Sequence, residues 1–314
     1  MWARVAGGDG PCLLVCAHLD TVFGAEVPHR VVEAGGRLTG PGVGDDSVAV
    51  AALSAVASLL RPGQAGPVWI VATVGEEGSG NLAGIRHALA TAPQPVSGVI
   101  AVEGNYLGRV VTTGVGSVRL RVQYAGPGGH AWERSGAPSA VHAAARAADL
   151  ISGLTVPGAR FSVNIGSIGG GEAINARARQ AWFEADLRAD SQPALRELED
   201  QARQIIYAAA AGNAGGMVAD VTDIGRRPAG RVPLSSPLAR SAVAALTRAG
   251  ITARVGAAST DANAAYEAGI PAIALGVTRG EGEHTPAEWI ETGPVGTGLA
   301  VLAATIELIR EELG

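Results

Sequence analysis

Acids and histidines of this 314-residue chain recur just after short apolar runs, which are typical of buried strands. His18 and Asp20 follow the run from Pro11 to Ala17, and residues two apart on a strand lie on the same face. Such a pair can supply an imidazole ligand for a metal ion and a carboxylate that orients it. It can equally be a core histidine with a hydrogen-bond partner, so further ligands are needed to decide.

Asp45 stands in the turn-rich segment Gly40-Pro-Gly-Val-Gly-Asp-Asp46, directly before the apolar run from Ser47 to Leu60. Glycine and proline at this density predict a tight loop, and the composition of the following run predicts a helix. Asp45 is then either the N-cap of that helix or a carboxylate that bridges two metal ions. The second role requires histidines and acids from other segments.

Two further apolar runs end in glutamates. Pro67 to Val74 leads into Glu76 and Glu77, and Val96 to Val102 leads into Glu103. Acids in the first turn of a helix interact favourably with its dipole, which is one explanation for the glutamate pair. The other is chemical: because adjacent side chains at a strand end diverge, one carboxylate can bind metal while its neighbour faces the substrate water.

His284 lies in the glycine-rich segment from Gly280 to Glu288, where it is either a solvated loop residue or a ligand. The three apolar runs predict a mostly parallel sheet, and the carboxyl ends of parallel strands meet at one edge. We therefore expect His18, Glu77 and Glu103 to gather at that edge. The set as a whole points to a metal centre more strongly than any member does.

The composition excludes several classes of function. Hydrophobic residues make up 47% and charged residues 17%, and the net charge of −5 without a basic run argues against a nucleic-acid partner. All 24 basic side chains are arginine, which removes lysine Schiff-base chemistry, pyridoxal phosphate anchoring and the P-loop lysine. No apolar run is long enough to span a bilayer and no signal peptide is recognisable, so we expect a cytoplasmic protein without a membrane partner.

The pattern changes near residue 115. Ser117 to Tyr124 alternates like an antiparallel strand, and the runs that follow predict the order β-α-β-β-α-β, the ferredoxin-like split motif. After Gly225 the earlier alternation of helices and apolar strands resumes. We therefore predict a domain at 115–224 inserted into an α/β domain formed by 1–114 and 225–314.

In this order the motifs resemble those of the co-catalytic zinc exopeptidases and deacylases, a family that includes aminoacylase, acetylornithine deacetylase, succinyl-diaminopimelate desuccinylase, carboxypeptidase G and peptidase T. The matching segments span nearly the whole chain: His18-Leu-Asp20, Gly40 to Asp46, Glu76-Glu77, Glu103-Gly104, Gly129-His130-Ala131 and His284 to Glu288. The resemblance implies a mostly parallel-sheet catalytic domain with an inserted ferredoxin-like α+β lid, through which two chains form a homodimer.

The resemblance also implies two Zn²⁺ ions, which Co²⁺ or Mn²⁺ can replace in sites of this kind. Asp45 matches the bridging ligand. One zinc ion would add His18 and Glu103, and the other would add Glu77 and His284.

Residues outside the ligand set match further roles in the family. Glu76 matches the general base, and Asp20 matches the acid behind His18. His130 matches a lid histidine that, in dimeric members, polarises the scissile carbonyl in the partner's active site. Asn175 and Arg188 match lid positions that hold the substrate carboxylate or carbonyl, and an arginine can clamp a carboxylate with two hydrogen bonds. The turn Ser259-Thr-Asp261 resembles one beside the substrate pocket.

The reaction implied is hydrolysis of the amide bond in an N-acyl amino acid or short peptide that bears a free carboxylate. An aminopeptidase or dipeptidase, or an N-carbamoyl amino acid amidohydrolase, would use the same site. From other classes, an inactive metal-binding relative is disfavoured because all proposed ligands and the base are present. A dinucleotide-binding domain is disfavoured because Asp45 stands where the G-x-G-x-x-G motif has its last glycine.

The chain departs from the family in two places. Ser47 stands where members usually have a lysine after the aspartate pair. The first strand also begins close to Met1, so we expect either a compact member or a chain that starts late.

Overall fold

The structure is a computed structural model that describes residues 2–61, 66–156, 158–211 and 216–313. The chain divides into two compact units, formed by residues 1–114 with 230–314 and by residues 115–229. A large, mostly parallel sheet belongs to the first unit and an antiparallel sheet to the second. The α/β fold class predicted from the sequence is confirmed.

A large sheet forms the centre of the first unit. With numbering that runs along the whole chain, its strands are β1 (Trp2–Ala6), β2 (Cys12–His18), β5 (Val68–Thr73), β6 (Val96–Val102), β7 (Arg109–Gly114), β14 (Gly230–Arg231), β15 (Arg254–Ala258) and β16 (Ala272–Leu275). Their order is β1-β5-β2-β6-β16-β7-β14, and β15 also pairs with β7. Strands β5, β2, β6 and β16 pair in parallel, so their carboxyl ends meet at one edge.

Helices cover both faces of this sheet. They are α1 (Val48–Ala57), α2 (Ala83–Ala90), α5 (Pro237–Arg248), α6 (Ala262–Glu267) and α7 (Val295–Leu313). Alternate residues of β2 enter two cores: Leu13 and Val15 pack on the side of α1, α5 and α7, while Leu14 and Cys16 pack on the side of α2 and α6. Burial on both faces explains the unbroken apolar run in β2. Among the described residues, no helix is long and apolar enough to cross a membrane.

A smaller antiparallel sheet connects two loops of the first unit. Its strands are β3 (Val32–Ala34), β4 (Arg37–Thr39), β17 (Gly280–Glu281) and β18 (Trp289–Glu291), in the order β17-β18-β4-β3. Pairing of β18 with β4 places the segment around His284 beside the loop that follows β4. The Gly40 N–H donates to the Glu288 carbonyl at 2.8 Å, so the two segments also meet through the main chain.

The second unit has the ferredoxin-like order predicted for it. The sequence runs β8 (Gly116–Ala125), α3 (Ala140–Ser152), β10 (Phe161–Gly170), β12 (Gln180–Ala189), α4 (Gln192–Ala211) and β13 (Val218–Arg227). The strands lie in the order β10-β12-β8-β13 with every pair antiparallel. Both helices contribute to a core with Val118, Leu120 and Val122 of β8. A short strand pair, β9 (Gly129–His130) with β11 (Ala176–Arg177), belongs to the same unit.

Candidate metal centre

The two oxygens of the Asp45 carboxylate face two histidines that are distant in sequence. His18 ends β2 and is only 2% exposed, and its Nε2 lies 3.0 Å from Asp45 Oδ1. His284 lies between β17 and β18, and its Nε2 lies 3.2 Å from Asp45 Oδ2. Asp45 therefore stands between two imidazoles, the arrangement required of a bridging ligand.

Glu77 and Glu103 complete two groups of candidate ligand atoms. In each of the groups His18–Asp45–Glu103 and Asp45–Glu77–His284, one donor atom from every residue lies within 4.8 Å of the others. Glu77 Oε1 is 3.1 Å from His284 Nε2. Imidazole nitrogen and carboxylate oxygen are the donors that Zn²⁺ and similar divalent ions accept, so each group could hold a divalent cation, and Asp45 belongs to both groups.

The charges around His18 favour a bound cation. Burial alone would lower the pKa of His18, but a hydrogen bond with Asp45 and the charges of Asp46 and Glu103 outweigh it and raise the pKa to about 12. Burial opposes ionisation of Asp45 as well, yet His18 and His284 hold the pKa of that carboxyl below its usual value. The His18 imidazole is thus surrounded by negatively charged carboxylates. A bound divalent cation would neutralise this negative charge, as a proton on the imidazole does.

Of the two glutamates in these groups, Glu103 is buried and Glu77 is partly buried. Burial raises the pKa of Glu103 well above its usual value, and the nearby charge of Asp46 raises it further. Burial and the charge of Asp45 raise the pKa of Glu77 in the same direction. Ionised carboxylates packed this closely are stabilised when a positive ion lies among them, which is the environment that a metal provides.

Asp20 holds the segment that carries both glutamates of the Glu76-Glu77 pair. Its Oδ1 accepts hydrogen bonds from the N–H groups of Gly75 at 2.8 Å and Glu76 at 3.3 Å, and its Oδ2 accepts from Glu77 at 2.9 Å. The Asp20 main-chain carbonyl is the partner of His18 Nδ1 at 2.9 Å, whereas its carboxylate lies 3.8 Å from that nitrogen. Asp20 therefore orients His18 through its backbone and the glutamate pair through its side chain.

Glu76 lies beside this centre. Its carboxylate joins His18 and Glu77 in a third group whose donor atoms lie within 4.8 Å of one another. The residue is 6% exposed. A buried carboxylate so close to the candidate ligands is placed to contact a water molecule held there.

Sequence reasoning missed two acids that fasten the Asp45 loop. The Asp46 carboxylate accepts from the His18 N–H at 3.1 Å and the Gly104 N–H at 3.0 Å, which ties the loop to the ends of β2 and β6. The Glu288 carboxylate accepts from three N–H groups of the loop. Both residues stand inside the recognised motifs, as the second aspartate of the pair and the acid four positions after His284.

The local backbone shows why the sequence has glycines here. Gly42 adopts a left-handed conformation with φ of 67°, which glycine reaches without steric cost. The N-cap residue of α1 is Ser47, so Asp45 does not have the capping role that was one interpretation of its position. The peptide bond between Asp45 and Asp46 is cis. His284 also has a positive φ, 64°, which is uncommon for a residue other than glycine.

The Ser259-Thr-Asp261 turn is attached to the end of β5. Asp261 is 2% exposed, and its Oδ2 lies 2.6 Å from the Thr73 hydroxyl. Thr73 Oγ1 also lies 3.0 Å from the carbonyl oxygen of Ala17 in β2. These contacts link the turn to β2, which ends in His18, and to β5, which ends three residues before Glu76.

The three candidate residues of the second unit fall into two places. His130 of β9 pairs with Ala176 of β11, and the Asn175 carbonyl accepts from the Ala131 N–H at 2.8 Å, so His130 and Asn175 are neighbours on exposed chain segments. Arg188 lies on β12, where its Nε and Nη2 donate to Asp186 Oδ2 at 3.1 and 2.9 Å. The structure therefore brings His130 and Asn175 together and gives Arg188 an ion pair within its own strand.

The chain combines a mostly parallel sheet covered by helices, an inserted ferredoxin-like unit and a paired histidine–carboxylate centre. This combination is typical of the metal-dependent hydrolases to which the sequence motifs point. The profile of peptidase family M20/M25/M40 matches residues 14–308, and the chain belongs to this family. The family and the fold identify it as a metal-dependent hydrolase of peptide or linear amide C–N bonds.

Solved structures agree on the fold. A tripeptidase from Staphylococcus aureus superposes with a TM-score of 0.81 at 20% identity, over 96% of this chain and 82% of that one. Aminopeptidase PepT from Bacillus cereus superposes with a TM-score of 0.77 at 21% identity, over 96% of this chain and 81% of that one. The Bacillus subtilis YXEP protein is described as a dinuclear metal-binding peptidase. It superposes with a TM-score of 0.73 at 19% identity, over 99% of this chain and 85% of that one. A comparison with curated protein sequences gives no significant match.

Proposed function

We propose that the protein is a di-zinc amidohydrolase that cleaves the amide bond of an N-acyl amino acid or short peptide with a free carboxylate. The observation that carries the proposal is the position of Asp45, whose Oδ1 and Oδ2 lie 3.0 and 3.2 Å from the Nε2 atoms of His18 and His284. A carboxylate between two imidazoles is suited to hold two cations at once. Supporting this, a similar structure is described as a dinuclear metal-binding peptidase.

The metal ligands divide between two positions. His18 and Glu103 would hold one ion, Glu77 and His284 the other, and Asp45 would contribute one oxygen to each. When bound, such ions act as Lewis acids and lower the pKa of a coordinated water toward neutrality. Co²⁺ or Mn²⁺ suit the same donors, so the ion present depends on supply as well as on the ligands.

Glu76 is the proposed general base. Its main-chain N–H is held by Asp20 at 3.3 Å, and its carboxylate lies in the group formed with His18 and Glu77. In the proposed reaction Glu76 accepts a proton from the attacking water and returns it to the leaving amine nitrogen, so the carboxylate is regenerated. Burial keeps competing water away from this proton transfer.

Residues of the second unit are proposed to bind the substrate. Arg188 has the planar donor geometry that pairs with a carboxylate, and Asn175 can donate to a carboxylate or carbonyl oxygen. His130 would donate to the scissile carbonyl oxygen, in its own subunit or across a homodimer formed through the inserted lid domain at 115–224. The homodimer and a cytoplasmic location stay predictions.

Peptidase activity on free-amine substrates is the main alternative for the same site. Two of the similar structures are a tripeptidase and an aminopeptidase, and their identities of 20% and 21% establish a shared fold rather than a shared substrate. N-carbamoyl amino acid hydrolysis is a third use of the same chemistry. An inactive metal-binding relative is the alternative of another class, and the presence of Glu76 argues against it.

Metal-loaded protein should be assayed on N-acetyl amino acids, N-carbamoyl amino acids, dipeptides and a folyl-type glutamate amide. We expect turnover of acylated substrates that bear a free carboxylate, and loss of that turnover in Glu76→Gln with metal content retained. Glu267→Gln, which changes an exposed glutamate paired with Arg86, is the matched control. Preference for free-amine dipeptides would move the assignment to a peptidase, and retained activity in Glu76→Gln would contradict the proposed base.

A further inference from the structure

Glu288 is a fully buried acid whose carboxylate is bound by the loop that carries Asp45. Its Oε1 accepts from the N–H groups of Gly44 at 2.9 Å and Asp45 at 2.7 Å, and its Oε2 accepts from Gly42 at 2.8 Å. Exposure of the residue is 0%. A carboxylate buried at this depth is stabilised only when hydrogen bonds replace its water, and here main-chain donors supply them.

The same residue belongs to the segment that carries His284. His284 and Glu288 lie in the loop between β17 and β18, in which Thr285 N–H donates to the Gly282 carbonyl at 3.1 Å and Glu288 N–H donates to the Thr285 carbonyl at 3.1 Å. These turns fix His284 relative to Glu288. The Glu288 carboxylate therefore sets the position of Asp45 relative to His284 within the chain itself.

The other metal position depends on a different acid. The Asp46 carboxylate accepts from the main-chain N–H of the proposed ligand His18. It also accepts from the N–H of Gly104, the residue that follows the proposed ligand Glu103. Asp46 therefore positions the group formed with His18 and Glu103, whereas Glu288 positions the group formed with Glu77 and His284.

We propose that Glu288 is a positioning residue that pre-forms the Asp45–Glu77–His284 site before metal binds. The inference rests on the proposed function insofar as it takes that group to be a metal site. Glu288 itself is no ligand: it acts through the backbone of residues 42–45. Partners of this kind are typically worth about 10- to 100-fold in metal affinity.

Gly44 offers a second way to disturb the same contact. A Cβ at Gly44 would lie 2.7 Å from Glu288 Oε1 and 2.9 Å from Ile290 Cγ2, closer than real Cβ atoms come to their neighbours. Gly44→Ala therefore displaces the carboxylate from the loop without removing it. Glu288→Gln keeps the volume but leaves only one oxygen to accept from the three N–H groups. Glu281→Gln, an exposed acid of the same segment, is the matched control.

The test is a calorimetric titration of metal-free protein with Zn²⁺, combined with hydrogen–deuterium exchange of the metal-free protein. A His284→Ala variant identifies which binding step belongs to the His284 site. We expect Glu288→Gln and Gly44→Ala to weaken that step about 10- to 100-fold, to change the other step less, and to speed exchange in residues 40–46. Glu281→Gln should match the wild type in both readouts.

Two results would overturn the inference: an unchanged His284 step with unchanged exchange in residues 40–46, or equal weakening of both steps. Neither would affect the proposed function if the wild type binds two ions and hydrolyses its substrate. Wild-type protein that binds two ions without hydrolysis would instead contradict the proposed function and leave the Glu288 comparison valid. Wild-type protein that binds no metal would overturn both.

Discussion

The Asp20 carboxylate accepts a hydrogen bond from the main-chain N–H of Glu77 at 2.9 Å, although Asp20 was expected to act on His18. Its other oxygen accepts from Gly75 and Glu76. One acid after β2 therefore fixes the direction of the chain after β5, where a proposed ligand and the proposed base are adjacent.

Asp20→Asn should reduce activity without abolishing the fold. Asparagine keeps one accepting oxygen, but its amide nitrogen cannot accept an N–H, so part of the hydrogen bonding to the glutamate segment is lost, while the main-chain bond to His18 is kept. We expect kcat to fall about 10- to 100-fold with little change in KM. Steady-state kinetics beside Asp9→Asn, which alters an exposed aspartate, measure this. A large rise in KM at constant kcat would contradict the positioning role.

The metal-free protein should lose stability as the pH rises. The pKa of His18 in the folded state, about 12, lies above its ordinary value of 6.5, so its contribution is complete below pH 6.5 and declines from there upward. The raised pKa values of Glu77 and Glu103 act in the same direction above their ordinary value of 4.5. Each proton that the folded state keeps and the unfolded state has released lowers the free energy of unfolding by about 1.4 kcal/mol per pH unit.

Chemical denaturation of the metal-free protein between pH 6 and 9 measures that slope. Added Zn²⁺ should reverse it, because metal ligands must be deprotonated and the ion then stabilises the folded state by mass action. His18→Gln should flatten the slope of the metal-free protein, whereas His29→Gln, at an exposed histidine, should not. A metal-free protein that becomes more stable from pH 6 to 9 would show that the site is not the electrostatic cluster described.

If His130 acts across a homodimer, two inactive variants should complement each other. His130→Ala and Glu76→Ala chains mixed into one dimer leave one site with both groups intact, so part of the activity should return. Activity of verified mixed dimers, beside each variant alone, is the measurement. No recovery would indicate that His130 works within its own chain or has no catalytic role.

Arg188 should determine the preference for a free carboxylate. Lysine keeps the charge but loses the paired donors, so Arg188→Lys should raise KM for a carboxylate substrate about tenfold or more, by the roughly 1.5–3 kcal/mol of a charged hydrogen bond. The corresponding carboxamide substrate should show little change. Asp186→Asn is the companion variant, because Asp186 is the present partner of Arg188. Equal effects on both substrates would assign Arg188 a structural ion pair instead.

Much of the fold could be predicted because local patterns agree with it. Apolar runs mark β2, β5 and β6, and the alternation in β8 marks a half-buried antiparallel strand. Residues at the ends of parallel strands converge by geometry, so the grouping of His18 with Glu103 followed from topology. The sequence pattern predicts the position of a side chain where a single strand or helix determines the direction in which that side chain points.

The sequence could not show which hydrogen bonds hold the ligands. Gly42 and Glu288 are 246 residues apart, and their contact depends on the pairing of β4 with β18. Asp20 could have met His18 through its side chain or its carbonyl, and only the turn after β2 decides between them. The ion pair of Arg188 with Asp186 likewise follows from side-chain conformation rather than from residue spacing.

Anomalous diffraction from crystals of the zinc-loaded protein tests the central claim most directly. The account predicts two peaks about 3.5–4 Å apart on either side of the Asp45 carboxylate, one near His18 and Glu103 and the other near Glu77 and His284. Asp45→Asn should lower the occupancy of both. A single peak that does not contact Asp45, or no peak among these residues, would contradict the two-metal site.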